Sequence, residues 1–584
     1  MSDFKNTNTN INTNYLRKAQ IKDEKDESNF SILEITSHTI SKPLLTHVKL
    51  YLNIDISGSM SDHCKDGKTK IEHIKTIIKN LLRELYKFKD QTISIIINGF
   101  ESTIHKILDI DNLLDQDIEV DIIPKIDGLV PLNSTNIELA LKTSTEVIDT
   151  NETNETNETK VVHILLTDGN ATDGISNPHI LKTFMPKSCK NIILGIGTDY
   201  DAHALKIISS NKSSIFKHIN EAETAGLCVG ELIHALLYET LKDVTITVAN
   251  GEIYDYLSGQ WSNILQVDSI ASEQTKTYNI RSKNVKDKDK DKDKDKDKDK
   301  DTKKEKVNIR LDWTTNKISF HHKVFEYTVS DLTKYKYRQD VLELLHIASE
   351  NSKKMEETKF NNNNNNNNNN FNIFNDDNSQ DELDELDKLN FGIHEEKYKI
   401  YFETKQKKHT DSKNEQKTIK QQLKKQIIKI MCYMEENQLQ SDVFYIMLCT
   451  DLKVAIDSLG KRNAELFITS RMTSQGRQET YTYEPEEDVN FEDAEDDKEA
   501  NFKDEEANLE DTIFDENYTR MTWNFKLNTP KKSKNQNSNL LLSPYSTAAQ
   551  VRLMRGISST PSNTNTDFDL SDSSEDDNLT IIKP

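Results

Sequence analysis

No stretch of this chain approaches the roughly 18–20 consecutive apolar residues that a membrane-crossing helix needs. The first thirty residues are polar, with no apolar core of signal-peptide length. Cysteine is sparse. Cys64, Cys189, Cys228, Cys432 and Cys449 are an odd, scattered five with no CxxC pair, so neither a disulfide framework nor a zinc site is legible. Basic residues do not predominate: 76 Lys and Arg stand against 98 Asp and Glu, a net charge of −22. Nucleic acid and anionic membrane both favour a basic face, so neither is expected as the main partner. No GxxxxGK[ST] and no G-x-S-x-G occurs, which leaves no support for a phosphate loop or a hydrolase elbow. Hydrophobic residues are only 34% of the 584, too few for the whole chain to fold. The expectation is a cytoplasmic, non-secreted protein of two or three packed domains separated by low-complexity segments.

The patterned part begins near Thr46. "HVKLYLNID", "TISIIINGF", "KVVHILLTDG" and "CKNIILGIG" read as buried strands, "STIHKIL" and "SIFKHI" as shorter ones. Between them, "KIEHIKTIIKNLLREL" places Ile71, Ile74, Ile77, Ile78, Leu81, Leu82 and Leu85 on one helical face, and "NIELALKTSTEVI" and "GELIHALLYETL" also read as helices. Strand and helix alternate over 46–241, which predicts an α/β domain with a doubly wound, mostly parallel sheet. After Leu241 the runs shorten and alternate without helices, which predicts a β-rich, sandwich-like domain over 242–330 with a Lys-Asp repeat inserted at 286–301. "FSILEITSHTI", in 29–45, is a possible strand of that same domain. A helical region follows over 331–483, interrupted by an Asn-rich and acidic insertion at 360–390. Within it, "RMTSQGRQETYTY" reads as a loop and strand, and "RNAELF" as a solvated face. Residues 1–28 and the acidic tail 484–584 are expected to be disordered. The "NETNETNET" repeat at Asn151–Thr159 reads as an expanded surface loop. In the tail, Ser543, Thr560, Ser571, Ser573 and Ser574 are plausible kinase sites, or simply part of a solubilising tail.

The candidate site lies in "NIDISGSM". Asp55, Ser57 and Ser59 put three oxygen-bearing side chains two apart on a loop leaving a strand, with Gly58 allowing a tight turn. Hard divalent cations take such oxygen ligands. "PLNSTNIELAL" adds Thr135 at a helix start, and "VVHILLTDG" ends at Asp168, the position equivalent to Asp55 one strand over. Two carboxylates and three hydroxyls at one sheet edge would make an under-charged site with room for an outside ligand. The plain alternative is that the aspartates cap helices and the serines satisfy backbone amides.

That set, in this order and on these elements, resembles the metal-ion-dependent adhesion site of the von Willebrand factor A domain family, over about a third of the chain. The resemblance implies that Ser57 and Ser59 bind Mg²⁺ or Mn²⁺ directly, Thr135 directly or through water, and Asp55 and Asp168 often through water. It implies that a protein partner's acidic side chain completes the coordination. The family usually has glycine before the threonine; here Asn133 and Ser134 fill that turn. Several relatives carry this domain inserted in a β-sandwich and followed by helices.

The expected function is therefore a divalent-metal-dependent protein-interaction module or scaffold, not an enzyme. A metal-dependent phosphohydrolase is the alternative, with His63 as the nearest base to hand; a metal-independent assembly scaffold is another. His63 and Cys64 read as an exposed loop, since a soft thiolate suits a hard-oxygen site poorly. His321 and His322 are adjacent and so point to opposite faces of a strand.

Overall fold

The computed structural model describes residues 15–24, 29–40, 42–43, 47–64, 66–132, 134–150, 159–168, 171–196, 202–210, 214–219, 225–282, 307–315, 318–324, 327–369, 414–461, 464–479 and 545–558. The Lys-Asp repeat, Asn151–Glu158, most of the acidic insertion, Asn133 and the five tail phosphorylation candidates lie outside them.

Two strands open the described part of the chain, β1 (Leu16–Glu24) and β2 (Phe30–Ser37). The inserted α/β unit then supplies β3 (His47–Asp55), α1 (Lys70–Leu85), β4 (Thr92–Phe100), β5 (Ile104–Ile110), α2 (Ile123–Asp127), α3 (Ile137–Thr150) and β6 (Thr159–Thr167). It closes with α4 (Pro178–Leu181), β7 (Lys190–Ile196), α5 (Ala202–Ile208), β8 (Ser214–Ile219) and α6 (Ala225–Leu237). Its sheet order is β5-β4-β3-β6-β7-β8. All neighbours are parallel except the edge strand β5, which is antiparallel to β4. The unit has the doubly wound architecture. Strand order reverses across β3 and β6, and ligands bind beyond the carboxyl ends of strands at such a reversal.

Alternation along each strand splits the core into two layers. Val48, Leu50, Leu52 and Ile54 of β3 pack with the apolar stripes of α1 and α6. The opposite face, toward α3, is partly polar. Asn53, Asn98, His163 and Asn191 are buried there, and Asn53 Nδ2 donates to the Ala140 carbonyl at 3.1 Å. His163 closes the row, 3.2 Å from Asn53 Nδ2 and 2.9 Å from Asn191 Oδ1.

The chain returns to the first two strands through β9 (Glu239–Ala249), β10 (Gly251–Asp255), β11 (Gln260–Ser262) and β12 (Ile264–Ala271). It continues with β13 (Thr275–Ser282), β14 (Asn308–Thr315), β15 (Ile318–Val324) and β16 (Tyr327–Ser330). One sheet runs β11-β10-β13-β2-β1-β16 and the other β12-β9-β14-β15. Ile21, Leu33 and Tyr278 of the first share a core with Ile246, Leu311 and Trp313 of the second. The α/β unit is thus inserted into a sandwich made from both of its flanks. Residues 16–24, within a stretch expected to be unstructured, are a strand of this sandwich: Ala19 and Ile21 enter its core, and β1 pairs with β2 and β16.

The helical region comprises α7 (Thr333–Asn369), α8 (414–436), α9 (Val443–Ser458) and α10 (Ala464–Arg477). Two readings of it need correction. The stretch from Arg471 to Arg477 is helix rather than loop and strand. "RNAELF" is not a solvated face either: Ala464, Glu465 and Leu466 are buried, Leu466 in the core beside β7 and α5, and Glu465 paired with Lys206. The last helix among the described residues, α11 (Ala548–Ser558), stands in the tail expected to be unstructured. Its Leu553 and Ile557 complete the core that α1 and α6 build.

Candidate metal centre

Asp55 is the last residue of β3, level with Phe100 of β4, and so sits at the sheet's carboxyl edge. Backbone bonds fix the exit on both sides: Ile56 N–H donates to Phe100 O at 3.0 Å, and Leu132 N–H to Ile56 O at 2.6 Å. The Ser57 N–H turns back onto Asp55 Oδ1 at 2.8 Å. From Gly58 to Ser61 the chain makes one tight 3₁₀ turn, pinned by the buried Met60. Gly58 keeps a right-handed backbone there, so the turn does not depend on the left-handed freedom of glycine.

A continuous line of hydrogen bonds crosses this edge. Thr167 Oγ1 donates to Asp55 Oδ2 at 2.6 Å, and the Ser57 hydroxyl lies 3.1 Å from that of Ser59. Ser59 Oγ donates to Asp168 Oδ1 at 2.8 Å, and Lys70 Nζ to Asp168 Oδ2 at 2.7 Å. Four of the five residues singled out in the sequence are therefore brought together directly. Thr135 is placed differently. It is buried at the start of α3, where its N–H donates to Thr172 Oγ1 at 2.9 Å and its carbonyl accepts from Thr172 and Asp173 N–H. Among the described residues no hydrogen bond joins its hydroxyl to the other four.

Asp55, Ser57, Thr135 and Asp168 are all buried, while Ser59 is half-exposed and offers the way in. Burial pushes the Asp55 carboxyl up to about 6; the bonds from Ser57 and Thr167 oppose the shift, and the nearby Asp168 adds to it. Lys70 is also raised. Its partial burial works against the ammonium, and contact with Asp168 outweighs that burial. Asp62 also approaches Lys70 Nζ, at 3.5 Å, so three carboxyl groups stand against one ammonium and acidic groups outnumber basic ones at the site.

This donor set fits a hard divalent cation, which takes carboxylate and hydroxyl oxygens and tolerates water or an outside carboxylate in remaining positions. Among the described residues no group of three or more His, Cys, Asp or Glu side chains could hold a metal ion, so this site, with two carboxylates, depends on its hydroxyls for further ligands. His63 is exposed and bridges back to Thr69.

Three neighbours were not read from the sequence. Lys70 begins α1, where its role depends on how the loop of residues 62–69 folds back. Thr167 immediately precedes Asp168 and faces Asp55 across the strand pair, a position its place in the strand could have suggested. Glu101 follows β4 as Asp168 follows β6. Hydrogen bonds from Ser102, then Thr103, hold its carboxyl down at about 2, and its carbonyl accepts from Asn136 N–H at the head of α3.

Comparison with known proteins gives a match over the inserted unit. Residues 50–227 match the family model of the von Willebrand factor type A domain, and the inserted unit has that Rossmann-like fold. No curated protein matches the chain. Among similar solved structures is the ArnB paralog VWA2 from Sulfolobus acidocaldarius, at 12% identity over 79% of this chain and 99% of that one, with a TM-score of 0.37. A von Willebrand factor type A protein from Catenulispora acidiphila is 12% identical over 56% of this chain and 76% of that one, TM-score 0.35. Proximal thread matrix protein 1 from the mussel byssus, solved with a zinc-occupied MIDAS motif, is 20% identical over 32% and 44% of the two chains, TM-score 0.25.

Proposed function

We propose that this protein is a divalent-cation-dependent protein-binding module, with the sandwich and helices as its scaffold. Ser57, Ser59 and Thr135 would hold Mg²⁺ or Mn²⁺ through their hydroxyls, and Asp55 and Asp168 directly or through water. The bound ion supplies a hard positive centre for an acidic side chain of a protein partner. The observation that carries the reading is the Asp55–Ser57–Ser59–Asp168 line at the strand-order reversal, accessible through Ser59 and with acidic groups outnumbering its one ammonium.

The chain's own residues do the positioning. Thr167 and the Ser57 N–H each donate to one Asp55 oxygen and so fix the carboxylate's orientation, and Met60 anchors the serine turn in the core. The reading is of a binder rather than an enzyme, because a hydrolase needs a base aimed at the site, and among the described residues no hydrogen bond joins the exposed His63, the candidate, to Asp55, Ser57, Ser59 or Asp168. An intracellular setting belongs to the same reading and is supported by five free thiols.

Thermal unfolding of the full chain in Mg²⁺, in Mn²⁺ and in EDTA, beside an Asp55→Ala/Ser57→Ala variant, tests it. An ion that binds only the folded state raises the midpoint. A rise in wild type that the double variant lacks is the expected result. Equal midpoints in EDTA and in millimolar metal would overturn the proposal.

A further inference from the structure

We propose that the groove between α1 and α6 is a docking site for a short amphipathic helix, occupied by the chain's own segment 545–558 as an exchangeable ligand. Residues 480–544 separate that segment from α10, so it reaches the groove as a distinct unit of sequence.

The groove is shaped for a helix backbone. Gly226 and Gly230 lie one turn apart on α6. A Cβ on Gly230 would stand 2.7 Å from Met554 Cα, and one on Gly226 would stand 3.1 Å from Ser558 Cα. Only glycine permits so close an approach at Gly230. Leu553, Met554 and Ile557, spaced to share one face of α11, are buried. At the far end Asn80 of α1 donates from Nδ2 to the Ile557 carbonyl at 2.9 Å, satisfying one of the carbonyls that a helix end leaves open.

The segment also carries its own helix start. Thr547 N–H donates to Gln550 Oε1 at 2.9 Å, and Gln550 N–H to Thr547 Oγ1 at 3.2 Å, a reciprocal cap that needs nothing from the groove. Just ahead of it, Tyr545 donates from its hydroxyl to Gln475 Oε1 at 3.3 Å and lies 5.6 Å from the Arg338 guanidinium. The segment thus has two anchors, Tyr545 on the helical region and the Leu553–Ile557 face on the α/β unit.

Eleven residues of helix are marginal alone, so α11 gains its structure largely by docking. A ligand on the same chain as its groove needs little intrinsic affinity, because its binding is intramolecular. The proposal expects the freed segment to bind on the order of micromolar, within reach of exchange.

The test uses the full chain with a protease site inserted between residues 500 and 520 and cut after folding. Size-exclusion chromatography then follows the tail fragment. At about 10 µM it should travel with the body; about 100-fold dilution, or about 100-fold excess of synthetic peptide 545–558, should release it. Met554→Glu, which lies in the fragment and leaves the cut body unchanged, should abolish co-elution. Gly230→Leu should do the same in a body whose thermal transition persists. Three results would overturn the proposal: separate elution at every concentration, retention through excess peptide until the body unfolds, or equal binding of peptide by the Gly230→Leu body. Displacement by a second copy's tail, seen as a dimer before cutting, would support the groove with the same ligand acting between chains.

Discussion

Lys70 Nζ lies 2.7 Å from Oδ2 of Asp168, so a tethered ammonium already sits on one side of a carboxylate in the candidate cation site. The Asp168 side chain is fully buried and that of Lys70 is 13% exposed, which makes the pair less screened than a surface ion pair.

Lys70→Met keeps the stem and removes the charge. Without the competing ammonium, Mg²⁺ and Mn²⁺ should bind on the order of tenfold tighter, a change of about 1.4 kcal/mol. In EDTA the same variant should unfold at a lower temperature than wild type, because Asp168 is left buried without its partner. Calorimetric titration reads the first effect and thermal unfolding the second. Weaker metal binding by Lys70→Met would mean that the lysine orients Asp168 instead of competing with the ion.

The buried His163 should make the protein acid-sensitive well above carboxylate pH. Burial depresses it to about 4, with the Asn191 contact opposing the shift. The unfolded chain takes up this proton near pH 6.5 and the folded chain only near 4. Its contribution is therefore intact above pH 6.5 and is lost as pH falls toward 4, by at most about 3 kcal/mol. Urea midpoints of wild type and His163→Gln between pH 7.5 and 4.5 isolate it. A pH slope no steeper in wild type than in His163→Gln would contradict the assignment.

Gly476→Ala sets two effects against each other. Alanine favours a helix interior by about 1 kcal/mol over glycine. Here, however, a Cβ would lie 2.2 Å from the Tyr256 ring, and overpacking of that kind costs about 1–3 kcal/mol. The clash should win, lowering the denaturant midpoint with an unchanged slope. A stabilised variant would show that Tyr256 moves aside freely.

Lys217 of β8 joins three parts of the molecule. Its Nζ lies 2.9 Å from Glu231 of α6 and 3.1 Å from Glu479, just past α10. Lys217→Met leaves two buried carboxylates without it and should cost about 3–5 kcal/mol. Adding Glu231→Gln alone should recover part of that loss, since Glu479 keeps Arg477 at 3.7 Å and the buried Lys276 nearby. Chemical denaturation of the single and double variants checks it; equal losses would place the cost in packing rather than charge.

What could be read in advance followed from local regularity. The α1 stripe from Ile71 to Leu85 was plain because seven apolar residues fall on one face, and all seven are buried. The strand ends bearing Asp55 and Asp168 were legible because each apolar run stops at an acidic residue. β1 was not: Ala19 and Ile21 alone are a faint pattern, and one of its partners, β16, comes some three hundred residues later. α10 hid its helix because neighbours cover several sides, so no single apolar stripe marks it; even Glu465 is buried, against Lys206. The T-x-x-Q cap of α11 was present but stood in a polar tail. Lys70 could not be assigned, since only the folded loop decides which carboxylate a lysine meets.

The most direct test of the central claim is equilibrium binding of Mn²⁺ to the full chain, followed by electron paramagnetic resonance of the free ion. The account predicts one saturable site per chain, displaced by Mg²⁺ and absent in Asp55→Ala/Ser57→Ala. No saturable site up to millimolar Mn²⁺, or a site that the double variant retains, would contradict it.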